Sequence, residues 1–293
     1  MAVLNETIEL ALAHYSKETA AQFEADVFSF IGGIRPEYLS IFRAHMENLA
    51  GQPAKADNLA FFIHTPGGVA EVVEKMVDII RQHYQEVWFV VPDMAMSAGT
   101  ILCMSGDKIY MDYSSALGPI DPQIPNGDGQ LVPALGYLDH VDRMIEKSAA
   151  GTLTDAEFAI LQNQDLATLR RYEQARDLSI SLLKDWLVKY KFKDWNEHSS
   201  SGDKVTDDEK SQRAEEIAHA LSNHNKWHSH GRMIGIKTLT NDLRLRIEDY
   251  TDNDELKSVI RKYSDLMLDC VQSRRLDHLF HTGKYVASNK SGT

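Results

Sequence analysis

Within its first 125 residues this chain switches repeatedly between short apolar runs and amphipathic stretches, with few residues between them. The runs at 27–31 (VFSFI), 59–63 (LAFFI) and 87–91 (VWFVV) have strand length and β-branched or aromatic content. Each stops at glycine or proline, in Gly32-Gly33, Pro66-Gly67-Gly68 and Pro92. A fourth strand is expected at 108–111 (KIYM). Helical spacing lies between them, at 6–23, in the stretch opened by Pro36, and at 69–83, where Val72, Val73, Met76, Ile79 and Ile80 form one stripe. A short buried helix is expected at 97–105. Strands that alternate with helices can pair side by side only through crossovers, so the pattern predicts a layered α/β domain with a largely parallel sheet.

Beyond residue 123 the signals thin out. Residues 123–133 are rich in proline and glycine and read as a loop. Thr154-Asp155-Ala156-Glu157 is a capping box whose helix is expected to span about 154–190, and Thr206-Asp207-Asp208-Glu209 opens another ending near Leu221. Residues 195–204 (WNEHSSSGDK) make a polar loop, the best candidate for a mobile one. Leu256, Val259, Ile260, Tyr263, Leu266 and Met267 predict a helix over 254–275, and residues 287–293 are expected to fray. The organisation expected is one domain over 1–250 and a C-terminal helical extension over 251–293.

Composition removes several classes of function. Lysine and arginine number 31 against 43 acidic residues, a formal charge of −12, which leaves no basic field for nucleic acid. No apolar run approaches the length of a membrane span. The opening MAVLNETIELALAHYSKE lacks the basic start and apolar core of a secretory leader. Cys103 and Cys270 form neither a disulfide framework nor a CxxC site, so a reducing cytosol is the expected home. No cofactor is called for. His224, His228 and His230 have no accompanying Cys or carboxylate frame, so no metal site is expected.

Two consecutive strand-to-helix turns carry the chemistry. The first is His64-Thr65-Pro66-Gly67-Gly68. Its glycines let a substrate approach the backbone, and N–H groups at the start of the following helix suit a developing negative charge. By itself it is most often a tight turn. The second is Met96-Ser97-Ala98-Gly99-Thr100. A lone serine there is usually an N-cap, but small neighbours leave Ser97 open to attack a carbonyl held against the first turn.

HTPGG, a strand, MSAGT, and then KIYMDYSSALGPIDPQI at 108–124 together resemble the ClpP/SppA peptidases of the ClpP–crotonase superfamily. They are most similar to the serine dehydrogenase proteinases, which are SppA-like. The segment 227–246 (WHSHGRMIGIKTLTNDLRLR) is similar to the end of an SppA-type domain. The resemblance implies a ClpP/crotonase-like spiral of ββα units, a Ser97 nucleophile, and an oxyanion hole from the Gly68 and Ala98 amides. It further implies a peptide or unfolded-protein substrate and a homo-oligomer. ClpP-type enzymes place a histidine after the next strand. SSALGPIDPQ has none, so the departure favours a Ser–Lys dyad, with Lys147, fifty residues on, as the base. His140 is the rival base. Asp121 is expected to orient groups near Ser97 or to hold its turn, and Gly67 and His64 to contact substrate. Two other readings stay open, a catalytically inactive scaffold and a crotonase-like acyl-CoA enzyme.

Overall fold

The computed structural model describes residues 2–121, 123–125, 131–198, 201–229, 231–283 and 285–289. Seven strands form the central sheet: β1 (Asp26–Gly32), β2 (Asn58–His64), β3 (Glu86–Val90), β4 (Lys108–Met111), β5 (Glu248–Asp249), β6 (Leu276–His281) and β7 (Tyr285–Asn289). Their spatial order is β7-β6-β1-β2-β3-β4-β5, parallel from β1 to β5 and antiparallel at the β6 and β7 edge. The expected mixed α/β architecture with a mostly parallel sheet is therefore what forms.

The pleat sorts the apolar runs onto two faces. Phe28, Phe61 and Phe89 sit in register across β1, β2 and β3, with ring centroids 5.1 and 5.3 Å apart. They pack under α2 (Leu39–Ala50), α3 (Ala70–His83) and α4 (Ala98–Met104). Their neighbours Val27, Ala60, Phe62 and Val90 face the other way, onto α1 (Ala2–Phe23) and α9 (Asp254–Arg274). Each buried ring contributes roughly 1.5–3 kcal/mol. Strands covered on both faces must be apolar throughout, which is why these runs do not alternate.

A second, smaller ladder runs just past the ends of the parallel strands. Ile34 bridges Gly68, Thr65 bridges Ala95, Met94–Ala95 pairs with Ala116–Leu117, and Leu117 bridges Ile234. Each unit is thus a long strand, a short rung and a helix, and the rungs fix where every strand-to-helix turn lies.

The longer helices between α4 and α9 are α5 (Ala134–Ala149), α6 (Asp155–Gln162), α7 (Leu166–Trp186) and α8 (Asp207–Leu221), with short helical turns at His224–Trp227 and Ile236–Asn241. Both capping boxes form as expected. The helix expected over 154–190 is instead broken after Gln162, because the Asp165 carboxylate caps the amides of Ala167 and Thr168 and starts a new helix. Residues 199–200, in the loop expected to be mobile, lie outside the described residues. Around them His198 N–H bonds Asp203 O, and Gly202 N–H bonds His198 O. Of the segment expected to fray, 290–293 lie outside the described residues, while Tyr285–Asn289 pairs with β6. The segment after 250 supplies strands as well as a helix. Its turn into β6 is made by Arg275, left-handed at φ 54°, where glycine would have marked the helix end. No helix among the described residues is long and apolar enough to cross a membrane.

One buried polar chain joins three elements on the α9 face. Ser29 of β1 donates to the Tyr263 hydroxyl of α9, which lies 2.6 Å from Nδ1 of His281 in β6. Burial pushes the Tyr263 phenol up to about 12 and holds His281 down to about 4 from an ordinary 6.5. Imidazole Nε2 is buried with no partner among the described residues. A histidine kept neutral in the fold binds its proton first in the unfolded chain, so this group's stability is present above pH 6.5 and lost as pH falls toward 4. The loss should amount to about 3 kcal/mol. Urea unfolding of His281→Asn should therefore show a shallower fall in stability between pH 6.5 and 4 than the wild type; parallel curves would refute the assignment.

Candidate active site

Ser97 stands between the rung Met94–Ala95 and α4, at φ 48° and ψ −112°. Those angles belong to the first central position of a type II′ turn, which glycine normally fills. A serine held there costs about 1–3 kcal/mol, so the surrounding contacts must impose it. Although Ser97 occupies the N-cap position of α4, its side chain makes no capping bond. Its Oγ donates instead to the Asp121 carbonyl at 3.3 Å, and the residue is only 6% exposed.

Backbone pairing holds the two turns together. Thr65 N–H donates to Met94 O at 3.0 Å and Met96 N–H to Thr65 O at 2.9 Å. On the other side Ile34 N–H donates to Gly67 O at 2.8 Å and Val69 N–H to Ile34 O at 3.0 Å. Gly67, at φ 103°, has no room for a side chain, since a Cβ there would lie 2.9 Å from that of Ser97. At Gly68, φ 152°, it would lie 2.0 Å from Ile34 O. The amides of Gly68 and Ala98 have no protein acceptor among the described residues. Thr100, fully buried, has its hydroxyl 2.9 Å from the carbonyls of both Ala95 and Gly118 and accepts from Gly118 N–H. It ties the Ser97 turn to the rung beyond.

The turns open on a cleft of about 360 Å³. Gly68, Ser97, Ala98 and Glu71 line one side, Ile101 and Ile120 the floor, and one face of α7 from Arg171 to Ser179 the far wall. The structure thus brings Ser97, Gly67, Gly68 and Ala98 together. Asp121 joins them through its carbonyl, while its buried carboxylate accepts from Leu135 N–H at 3.0 Å and anchors the start of α5.

Three other residues singled out from the sequence stand elsewhere. His64 faces α9, with Nδ1 3.1 Å from an Asp93 carboxylate oxygen. Burial lowers its affinity for a proton, and Asp93 partly offsets this. Lys147 is in the last turn of α5, about 18 Å along the helix from Leu135. Its ammonium is half exposed and bonds to Glu157 at 2.5 Å, which holds that carboxyl down at about 2. His140 is exposed on the same helix. Neither a lysine nor a histidine lines the cleft among the described residues. The α7 wall, including Arg171 and Gln174, went unread in the sequence, where only its helical spacing gave a signal. The side chain of His224 and all of His230 lie outside the described residues, and among those described no group of three metal-ligating side chains occurs.

Comparison with a family model agrees with this architecture. A model of the ClpP-like SDH-type serine proteinases matches residues 17–217, well over half of the chain. The chain belongs to that family. Uncharacterized protein MJ1495 of Methanocaldococcus jannaschii is 37% identical over 91 residues, 31% of this chain and 30% of that protein. Uncharacterized protein MJ0137 of the same organism is 42% identical over 62 residues, 21% and 22% of the two chains. These matches therefore span less than a third of the relatives' own length. Among solved structures, a lysine-to-alanine mutant of the 1510-N membrane-bound stomatin-specific protease in complex with a substrate peptide gives a TM-score of 0.44 at 14% identity, over 89% of this chain and 85% of that one. A serine-to-alanine mutant of the same protease gives 0.31 at 20% identity, over 41% and 62%. For this member of the ClpP-like SDH-type family, the family match and the seven-stranded sheet agree on the fold class.

Two substitutions test the turn geometry by thermal or denaturant unfolding. Gly68→Ala should cost about 2 kcal/mol or more, because the carbonyl in its way belongs to paired backbone. Ser97→Gly should stabilise the protein by about 1 kcal/mol, strain relief less the entropy of an added glycine. A stable Gly68→Ala or a destabilised Ser97→Gly would contradict the geometry.

Proposed function

We propose that this protein is a serine peptidase in which Ser97 attacks the peptide carbonyl while the Gly68 and Ala98 amides hold the oxyanion. The observation that carries this reading is the unfavourable backbone of a buried serine that caps nothing, set against a glycine turn with free amides. A structural serine gains nothing from such a conformation. A nucleophile does, since a sharp strand-to-helix turn presents its Oγ to the cleft. Attack forms the Oγ–C bond and pushes charge onto the carbonyl oxygen. The serine proton passes to a base and then to the leaving amine as the C–N bond breaks.

Lys147 is the base assigned in this reading. To serve, its ammonium has to leave Glu157, lose its proton and enter the cleft with a rearranged α5. Asp121, bonded to α5 at one end and to Ser97 at the other, is the joint about which that movement would occur. The substrate class is a peptide or unfolded segment, in keeping with a cleft of modest volume and mixed lining. A homo-oligomer belongs to the same proposal, supported by exposed Tyr137, Ile145, Phe158 and Leu166 on α5, α6 and the start of α7. The buried thiols of Cys103 and Cys270 fit a reducing compartment such as the cytosol.

Fluorophosphonate labelling of wild type, Ser97→Ala and Lys147→Ala tests the reading. Wild type should be labelled, Ser97→Ala should not, and Lys147→Ala should fall by about a hundredfold or more, the scale of general-base loss. Labelling kept in Lys147→Ala would move the base elsewhere. Unlabelled, folded wild type would sink the peptidase reading and favour an inactive scaffold.

A further inference from the structure

Arg171 lines the same cleft as Ser97, from the α7 wall, and its charge also helps to hold down the Asp165 carboxyl at the start of that helix. One guanidinium nitrogen bonds the Thr168 hydroxyl at 3.2 Å, and no described carboxylate lies within ion-pairing distance of it. Arg170 and Arg176, on the same helix, are paired with Glu173 and Asp177 respectively. The other charged group on the cleft is Glu71, in the first turn of α3, three residues beyond Gly68. These two lining groups do not pair with one another. The rest of the lining is mostly apolar, with Val69, Ala98, Ile101, Ile120, Ala175 and Leu178 outnumbering the polar Ser97, Gln174 and Ser179.

A mostly apolar cleft with a cation on one wall and an anion beside the glycine turn has a polarity. An anionic group on a substrate is repelled from the Glu71 side and meets a fork of N–H donors at Arg171, whose planar geometry matches a carboxylate. Helical spacing puts Gln174 one turn along the same face, where its amide can add a further donor. Resting on the Ser97 reading above, we propose that Arg171 is a specificity-determining residue that anchors a substrate carboxylate, while the aliphatic floor takes an apolar side chain next to the scissile bond. The carboxylate has two chemical sources, an Asp or Glu side chain or the substrate's own C-terminus.

Internally quenched peptide pools with matched changes test this. One pair differs only in Glu against Gln, placed in turn at each of three positions on either side of a central leucine. A second pair differs only in a free against an amidated C-terminus. Wild type should prefer the charged member of at least one pair by about tenfold or more, the range of one charge-assisted hydrogen bond. The pair that discriminates identifies the source. Arg171→Gln should abolish that preference, slowing the charged member by about tenfold relative to the neutral one, while Ser97 still takes the fluorophosphonate label. Arg171→Glu should reverse the preference toward lysine-containing peptides.

Labelled wild type with no preference in either pair overturns the assignment and leaves the nucleophile standing. So does an Arg171→Gln that slows charged and neutral peptides alike, since a wall residue that only shapes the cleft would act on both. Wild type that is neither labelled nor active removes the Ser97 reading, and the carboxylate anchor falls with it. Arg171 is exposed, and its variants should unfold at the wild-type temperature; a large drop would mean that α7 packing, rather than charge, is its role.

Discussion

The structure depends on the backbone pairing that ties three turns at the ends of β1, β2 and β3. Ile34 pairs with the Gly67-Gly68 segment, Thr65 pairs with the Met94–Met96 segment, and Ser97 follows at once. Because each rung hangs from a strand buried on both faces, the rungs cannot shift without displacing the core. That rigidity is what can hold Ser97 at a positive φ. A cost of about 1–3 kcal/mol at one residue is small beside the burial of Phe28, Phe61, Phe89 and their neighbours. The glycines answer the same demand from the other side, since any side chain at Gly68 meets the Ile34 carbonyl.

The polar interactions divide along the same line. At the opposite ends of β3 and β4, nearly buried Asp107 gathers Arg81, Lys193 and the Val87 amide, a closed set in which every charge has a partner. Such a cluster pins a sheet end and leaves nothing over for chemistry. Near Ser97 the arrangement is open. The Gly68 and Ala98 amides have no protein acceptor among the described residues, Arg171 bonds the Thr168 hydroxyl but forms no ion pair among them, and the serine hydroxyl makes one long bond to a carbonyl. Unused donors in a cleft are what a reacting group or a ligand can employ.

Much of this could be read from the amino-acid sequence because it follows from short-range rules. The four parallel strands at 27–31, 59–63, 87–91 and 108–111 were legible as apolar runs ended by Gly or Pro, and Thr154 and Thr206 as capping boxes. The turn pairing could be inferred since HTPGG and MSAGT close consecutive strands. What was missed lacks a local signature. β6 follows a helix that ends on Arg275 instead of glycine, and its sequence LDHLFH mixes charge into a strand whose partners in β1, such as Gly32 for His278, lie at the far end of the chain. The break at Asp165 falls inside a stretch whose helical spacing continues on both sides. The α7 wall of the cleft is a matter of tertiary packing, and no spacing within α7 says what it faces. Lys147 shows the same limit, for its position fits a sequence distance, while its charge sits on Glu157.

The most direct test of Ser97 as a nucleophile facing the Gly68 and Ala98 amides is a crystal structure of the protein after reaction with a small fluorophosphonate. The account predicts phosphorus bonded to Ser97 Oγ, with a phosphonyl oxygen about 2.7–3.1 Å from both amide nitrogens. It also predicts that Ser97 keeps its positive φ, so that the reacted and unreacted backbones superimpose. An adduct on another residue would contradict the account. So would a Ser97 adduct whose oxygen points away from Gly68 and Ala98.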